Sequence, residues 1–517
     1  MPIDGRTIPT DTSIECDLCI VGAGVAGITI AREFADQEAQ VILLESGGLE
    51  YDEATQELYD GEVAGNPIAE LEIARLRYFG GSSNHWHGYS RPFDPIDFEK
   101  RTWIPHSGWP FGYDELAPFY GRAHDLLQIG EYDYRPESFS ESLSPMLRSP
   151  LLQDRLQTAM FKVNPLRLGE QYLSDVTDSG SAQLYLWSNL QDIETDQQAR
   201  EITGLRVATL AGNHFWIRPR QTVLATGGIE NARLLLNANT VRAAGLGNEH
   251  DMVGRCFMDH PSYEAATIML DRSYDFARPG FSEGTDAMIA LSPEVQRSEQ
   301  IANFLCQTWP VRAERYHAES YRHLREIVRN VLQGRIVDDF NAKLWEVVSD
   351  LDGVGRGLSS YFFEDVEMLE VRIHPEVVPN PDSRITLTEE RDALGMQRVK
   401  VDWRLTDVDR RSIRRGLEIL GEEIGREGIG RLKFADWVLE DGFEVPGVGS
   451  YHHIGTTRMG GDARNSVIDP DCRIHGMDNL YVAGSSVFPT SSSANPTLTI
   501  AALALRLADH LKARLSA

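Results

Sequence analysis

Cysteine is scarce and without pattern in this sequence. Five residues (Cys16, Cys19, Cys256, Cys306 and Cys472) are scattered through 517 positions, an odd number that suits a reducing compartment, so a cytoplasmic location is expected. Cys16 and Cys19 do form a C-x-x-C, but they open the apolar run "CDLCIVGAG" and no second Cys/His pair at zinc spacing follows. Both are expected to be buried, inert thiols. Positive charge is also in deficit. Fifty Lys and Arg face 78 Asp and Glu, and the resulting net charge of −28 repels phosphate backbones and anionic lipid, which argues against a nucleic-acid partner. Long apolar runs are missing: nothing approaches the ~18 consecutive residues of a membrane helix. The start, "MPIDGRTIPTDTSIECD", lacks the cationic and apolar regions of an export signal. His260 and His374 stand at no metal-ligand spacing, so no metal is expected, and no G-x-S-x-G elbow is present for hydrolysis. What remains is a soluble globular composition, long enough for two domains and a large buried ligand.

The stretch "CDLCIVGAGVAGITIAREFADQEAQVILLESGG" reads as strand, tight turn, helix, strand. Gly22, Gly24 and Gly27 fit G-x-G-x-x-G, in which bare backbone brings a pyrophosphate against a helix N-terminus. A side chain at Gly24 would obstruct that approach. Glu45 ends the second strand, where a carboxylate accepts ribose hydroxyls and repels a 2′-phosphate, so FAD or NAD is favoured over NADP. Two later segments repeat the strand–turn–helix pattern with small residues. "QTVLATGGIENARLLLNA" turns at Ala225, and "NLYVAGSSVFPTSSSANPTLTIAALALRLADHL" turns at Gly484 and Ser485. Three such turns, spread over the whole chain, can meet on one extended ligand only if the nucleotide domain is discontinuous.

With "GAGVAG", Glu45, "RYFGGSSNHWHG", "ATGGIENARLLL", "VGRCFMDHP", "YHHIGTTRMGG" and the C-terminal segment in this order, the sequence resembles the glucose-methanol-choline (GMC) oxidoreductases. The likeness is greatest to their pyranose oxidase and bacterial glycoside 3-oxidase branch. The resemblance implies an α/β fold: a Rossmann-like, doubly wound FAD-binding domain with an inserted α+β substrate domain on an antiparallel sheet. The expected division is 1–261 with 448–517 for FAD and 262–447 for substrate. It further implies FAD contacts from Gly80, Gly81, Ser83, Asn84, Pro496 and Thr497, besides the turns already named. His85, before Trp86, matches a position that bears a covalent bond to the flavin 8α carbon in pyranose oxidases. "SRITLTEE" and "RVKVDW" read as strands of the substrate domain. Residues 320–348 carry an apolar stripe (Leu324, Ile327, Val331, then Phe340, Leu344, Val347) that is expected to pack helices on the sheet.

Oxidising an alcohol with flavin removes a proton from oxygen and a hydride from carbon, so a base is needed beside the ring. Neutral imidazole suits that task near pH 7. The resemblance assigns the base to His452, the first histidine of "HHIGT", and the partner that orients the alcohol and stabilises the alkoxide to Asn495 in "SANPTLT". Adjacent residues on an extended segment face opposite ways, so His453 is expected to be structural. His87 and His106 are expected to be ordinary polar residues, and Trp309, Trp345 and Trp403 core aromatics. The substrate implied is a sugar, glycoside or related cyclic polyol, oxidised at a ring secondary alcohol, with oxygen or an external acceptor taking the electrons. The alternatives are a primary alcohol substrate or, without net redox, a hydroxynitrile-type lyase.

Overall fold

A computed structural model describes residues 1–139, 154–274, 284–311, 319–332, 337, 339–354 and 366–516. Its first sheet has the spatial order β1 (Ile3–Asp4), β7 (Ala182–Leu186), β3 (Val41–Leu44), β2 (Ser13–Val21), β10 (His214–Leu224), β9 (Ile202–Ala208), β8 (Asn189–Thr195), with β18 (Leu480–Val482) pairing β10. β1, β7, β3, β2, β10 and β18 run parallel. β9 and β8 add an antiparallel edge. The parallel centre is covered on both faces, which is why β2 and β3 read as continuous apolar runs; Leu18, Cys19, Ile20 and Leu43 have no exposed surface. Cys16 and Cys19 are buried free thiols on β2, both pushed upward in pKa by burial. The helix Thr497–Ser516 packs on the helices Val25–Glu33 and Tyr113–Leu127, so the chain's last element lies over its first helix.

The second sheet is antiparallel: β17 (Gly430–Phe434), β11 (Tyr263–Tyr274), β14 (Val366–Ile373), β13 (Leu305–Pro310), β12 (Thr285–Leu291), β6 (Leu156–Val163), β5 (Tyr89–Ser90). A third has β15 (Arg384–Arg391), β16 (Gln397–Trp403) and β4 (Gly61–Gly65). Sheet membership therefore crosses the boundaries expected from sequence. β5 and β6 come from the segment expected in the FAD domain, yet they cover the edge that β12 would otherwise leave open. β15 and β16 form as strands where read, but pair with β4 and not with the antiparallel sheet.

The stretch 320–348 also departs from expectation. It forms two helices, Glu319–Leu332 and Phe340–Ser349, that pack on each other. Residues 333–336 and 338 and the Val331 side chain lie outside the described residues. Val347 is buried, but Phe340, Leu344, Trp345, Val348 and the following Leu351 are exposed, so the stripe on the second helix is not covered by the sheet. Of the three tryptophans expected in the core, only Trp403 is there; Trp345 is 72% exposed and Trp309 36%. Among the described residues no helix is long and apolar enough to cross a membrane, and no cluster of His, Cys, Asp and Glu could hold a metal.

Candidate active site

A cavity of about 1150 Å³ lies between the parallel sheet's C-terminal ends and the antiparallel sheet. That exceeds the ~300–1,000 Å³ of ordinary ligand pockets, which leaves room for a dinucleotide and a substrate together. Three helix N-termini open into it, at Gly24–Val25, Thr226–Gly228 and Pro496–Thr497. Their free N–H groups and dipoles favour an anion. The N-cap Gly24 carries no side-chain cap, and a Cβ there would meet no protein atom within 4 Å, so it would project into the cavity. Gly27 acts differently: a Cβ would stand 1.9 Å from the Gly22 carbonyl, so this glycine lets helix and turn pack closely and does not line the cavity.

Gly22, Glu45, Gly81, Ser83, His85, Ala225, Gly484, Ser485, Asn495, Pro496, Thr497 and His452 all line the cavity. Gly80 and Asn84 do not. Gly80 takes φ +96° and a Cβ there would crowd the Asn84 amide, which itself donates to the Phe79 carbonyl at 2.8 Å; both shape the turn that presents Gly81 and Ser83. Glu45 is buried, with its carboxylate accepting from the N–H groups of Ala23 (3.0 Å) and Gly47 (2.9 Å). His85 is exposed to the cavity, 3.1 Å from the Tyr78 hydroxyl. His87 also reaches the cavity, and His106 does not.

Sequence reasoning missed a buried ionic group at the Glu45 end. Arg75, Arg77 and Glu230 line the cavity, and Arg233 stands behind them. Burial alone would raise the Glu230 carboxyl, but Arg233, Arg77 and Arg75 outweigh it and hold it down at about 2. Arg77 Nε is buried without a hydrogen-bond partner, and Arg77 Nη1 meets only Glu230 Oε1, at 3.5 Å. An unpartnered guanidinium N–H, three helix N-termini and a glycine-lined gap are a donor set suited to a dinucleotide's phosphates and sugar.

At the other end His452 and His453 do face apart. The His453 ring packs 5.8 Å from the Phe257 ring, and its carbonyl accepts from Ser485 Oγ at 2.6 Å, although the residue still borders the cavity. His452 lies between two partners. Its Nδ1 is 2.9 Å from His260 Nδ1, and its Nε2 is 3.4 Å from Asn495 Nδ2. His260 Nε2 is 2.8 Å from the Ser492 carbonyl, which can only accept. The Nε2–H of His260 therefore donates to it. Burial pushes the pKa of both rings downward, with neighbouring His260 adding to the effect on His452, so both are neutral near pH 7. Neutral His260 then has a bare Nδ1, and the Nδ1–H of His452 donates to it. The lone pair of His452 is left on Nε2, toward Asn495 and the cavity.

The backbone holds this pair under strain. Tyr451 (φ +64°) and Ser492 (φ +55°) both occupy the left-handed region, which costs a non-glycine residue about 1–3 kcal/mol. Asp259 offsets part of that cost: its Oδ1 accepts from the N–H groups of His260, Ser450 and His452 at 2.7, 3.2 and 2.9 Å. Burial pushes the Asp259 carboxyl up to about 7 despite these donors. "DHP" thus matters to the site, through a partner 192 positions away that its spacing could not announce.

A family model described as FAD dependent oxidoreductase matches residues 17–327, and one described as GMC oxidoreductase matches 379–504. The fructose dehydrogenase large subunit of Gluconobacter japonicus is 23% identical over 97% of this chain and 98% of its own. A C-glycoside 3-oxidase of Arthrobacter globiformis is 35% identical over 129 residues, 24% of this chain and 23% of that protein. Among solved structures, a variant of Aspergillus oryzae formate oxidase aligns over 97% of this chain and 98% of its own, with TM-score 0.58 at 17% identity. The protein belongs to the FAD dependent oxidoreductases and, within them, to the GMC oxidoreductases. It is a flavoenzyme acting on CH–OH donors, as the resemblance implied.

Proposed function

We propose that the protein oxidises a ring secondary hydroxyl of a sugar, glycoside or related cyclic polyol to a ketone, with His452 as base and Asn495 as its partner. The observation that carries the reading is the His452–Asn495 pair, which presents an unprotonated Nε2 beside an amide donor inside the cavity. FAD, held by the turns at Gly22–Gly24, Ala225–Gly228 and Gly484–Thr497, supplies the hydride acceptor when bound. His452 Nε2 takes the hydroxyl proton. Asn495 Nδ2 donates to the substrate oxygen, fixing the carbinol C–H and stabilising the alkoxide as it forms. Asn495 has no basic nitrogen, so proton removal rests on His452. The sugar assignment draws on the identity shared with the C-glycoside 3-oxidase and, over 67 residues, with a pyranose 2-oxidase of Tricholoma matsutake.

The test is anaerobic mixing of the yellow protein with monosaccharides, glycosides and simple alcohols while flavin absorbance is followed. Bleaching by a sugar or glycoside is the expected result. Bleaching by simple alcohols alone selects primary-alcohol oxidation, and substrate consumption without bleaching selects the lyase. His452→Ala should slow flavin reduction by on the order of a hundredfold or more with FAD retained; an unchanged rate removes His452 as the base. Whether His85 carries the flavin bond found at the matching position of pyranose oxidases is read by acid precipitation: yellow colour left in the supernatant means that His85 is unlinked.

A further inference from the structure

The cavity wall opposite the flavin turns is a face of the antiparallel sheet, and its side chains form a ladder. Alternation along β13 points Leu305, Gln307 and Trp309 into the cavity, while Cys306 between them lies on the buried face. On the neighbouring β14 the same alternation gives Glu370 and Arg372, continued by His374 just past the strand. The register sets Gln307 opposite Arg372 and Trp309 opposite Glu370, and the His374 N–H donates to the Leu305 carbonyl at 2.7 Å. Three rows follow, each two residues apart, from Leu305/His374 to Trp309/Glu370. At ~3.3 Å per residue the outer row stands about 13 Å from the inner.

The inner row belongs to the reacting centre. His374 is near enough to His452 and His260 to influence them electrostatically, and its Nε2 is 3.3 Å from Ser262 Oγ. The middle row is polar and braced. Gln307 Nε2 and the Tyr89 hydroxyl both donate to Asp286 Oδ2, at 2.9 and 2.8 Å, and Arg372 Nε has no hydrogen-bond partner. The outer row ends in an indole that is 36% exposed yet lines the cavity, so it stands at the mouth. A half-exposed indole with an acid across the ladder offers a flat apolar face beside a hydrogen-bond acceptor, the surface on which the face of a ring packs.

We propose that Trp309 and Glu370 form an outer subsite for a second ring, so that the preferred substrate is a glycoside with a ring aglycone, aromatic or sugar, and not a free monosaccharide. The reacting ring occupies the inner and middle rows, and the second ring stacks on Trp309. This rests on the reading of the cavity as a sugar-oxidising site.

The experiment compares a methyl glucoside, a phenyl glucoside and a glucose disaccharide on the holoenzyme, with flavin reduction as the rate and KM against kcat as the readout. The ring-bearing glycosides should show a lower KM than the methyl glucoside. Trp309→Ala should raise their KM roughly tenfold, leave the methyl glucoside KM and the flavin spectrum unchanged, and Trp309→Phe should recover most of the loss. Equal effects on all three compounds, or none, overturn the subsite. A lower KM for the phenyl glucoside alone makes it an aryl subsite, and for the disaccharide alone a sugar subsite. If no sugar reduces the flavin, the sugar reading fails separately. The subsite is then judged by calorimetric binding of the phenyl glucoside: binding lost in Trp309→Ala sustains it, and no binding overturns it.

Discussion

At the residue scale the proposed reaction turns on which nitrogen of His452 carries its proton. Ser492 fixes His260, and His260 fixes His452, so a carbonyl two bonds removed from the base sets its tautomer. Replacing His260 by Ala frees the imidazole to place its proton on Nε2, where it cannot accept one. By analogy with hydrolases in which the wrong tautomer is costly, flavin reduction should fall at least ~tenfold with FAD retained; a variant that reduces flavin at the wild-type rate breaks the relay. The sign of the pH dependence follows from burial. His452 is depressed below its ordinary 6.5, so the neutral, competent form persists as pH falls through 6.5 and is lost only at the lower, depressed value. The rate of flavin reduction should therefore stay flat through pH 6.5 on the acid side, and a midpoint at or above 6.5 contradicts a buried base. His452 and Asn495 were open to proposal from the sequence because each sits in a short motif. His260 was not, since its role depends on a contact between distant loops.

At the element scale, the segment bearing Ser492 is pinned to two others. Ser492 Oγ donates to Asp97 Oδ2 at 2.6 Å, Ser491 Oγ accepts from the Val377 N–H at 3.0 Å, and between them Arg101 and Glu376 form a bidentate pair with no exposed side-chain surface. Glu376 also accepts from the Asn303 N–H at 3.0 Å, next to β13. A buried pair of this kind adds little over an apolar substitute, but removing one partner strands a charge. Glu376→Ala should cost about 3–5 kcal/mol in denaturant unfolding, and because Ser492 shifts with it, flavin reduction should slow as well. A stability loss under 1 kcal/mol would mean that the pair is not sealed from water. Secondary structure was readable here where period and turn chemistry agreed, as in the strand–turn–helix units. The helices Glu319–Leu332 and Phe340–Ser349 show the limit of that reading: a 3.6-residue stripe locates a helix, but nothing in it says whether a neighbour is there to cover it. Strands β15 and β16 are a parallel case, correct as strands and misplaced as to sheet, because alternation does not name the partner.

At the scale of the whole molecule, the cavity exists because the chain leaves the parallel sheet several times and returns to it. The first, middle and last of its strand–turn–helix units converge there, and the antiparallel sheet closes the opposite wall. The sequence revealed the three turns but not the ladder of Gln307, Trp309, Glu370 and Arg372, since facing side chains are set by the register between two strands separated by the helical pair. A ligand that spans both walls should couple their stabilities, as any molecule bound only by the folded state raises its stability, by about 4 kcal/mol at a thousandfold over Kd. Gly24 offers a way to remove that coupling without touching the core, because a Cβ there enters the cavity with no protein atom within 4 Å. Gly24→Val should give a colourless protein that melts several degrees below the yellow wild type and gains nothing from added FAD. Were the variant to keep both its colour and its melting temperature, the cofactor's phosphates would have to lie elsewhere than on the first helix. The placement of the whole site, from Glu45 to His452, would then shift with them.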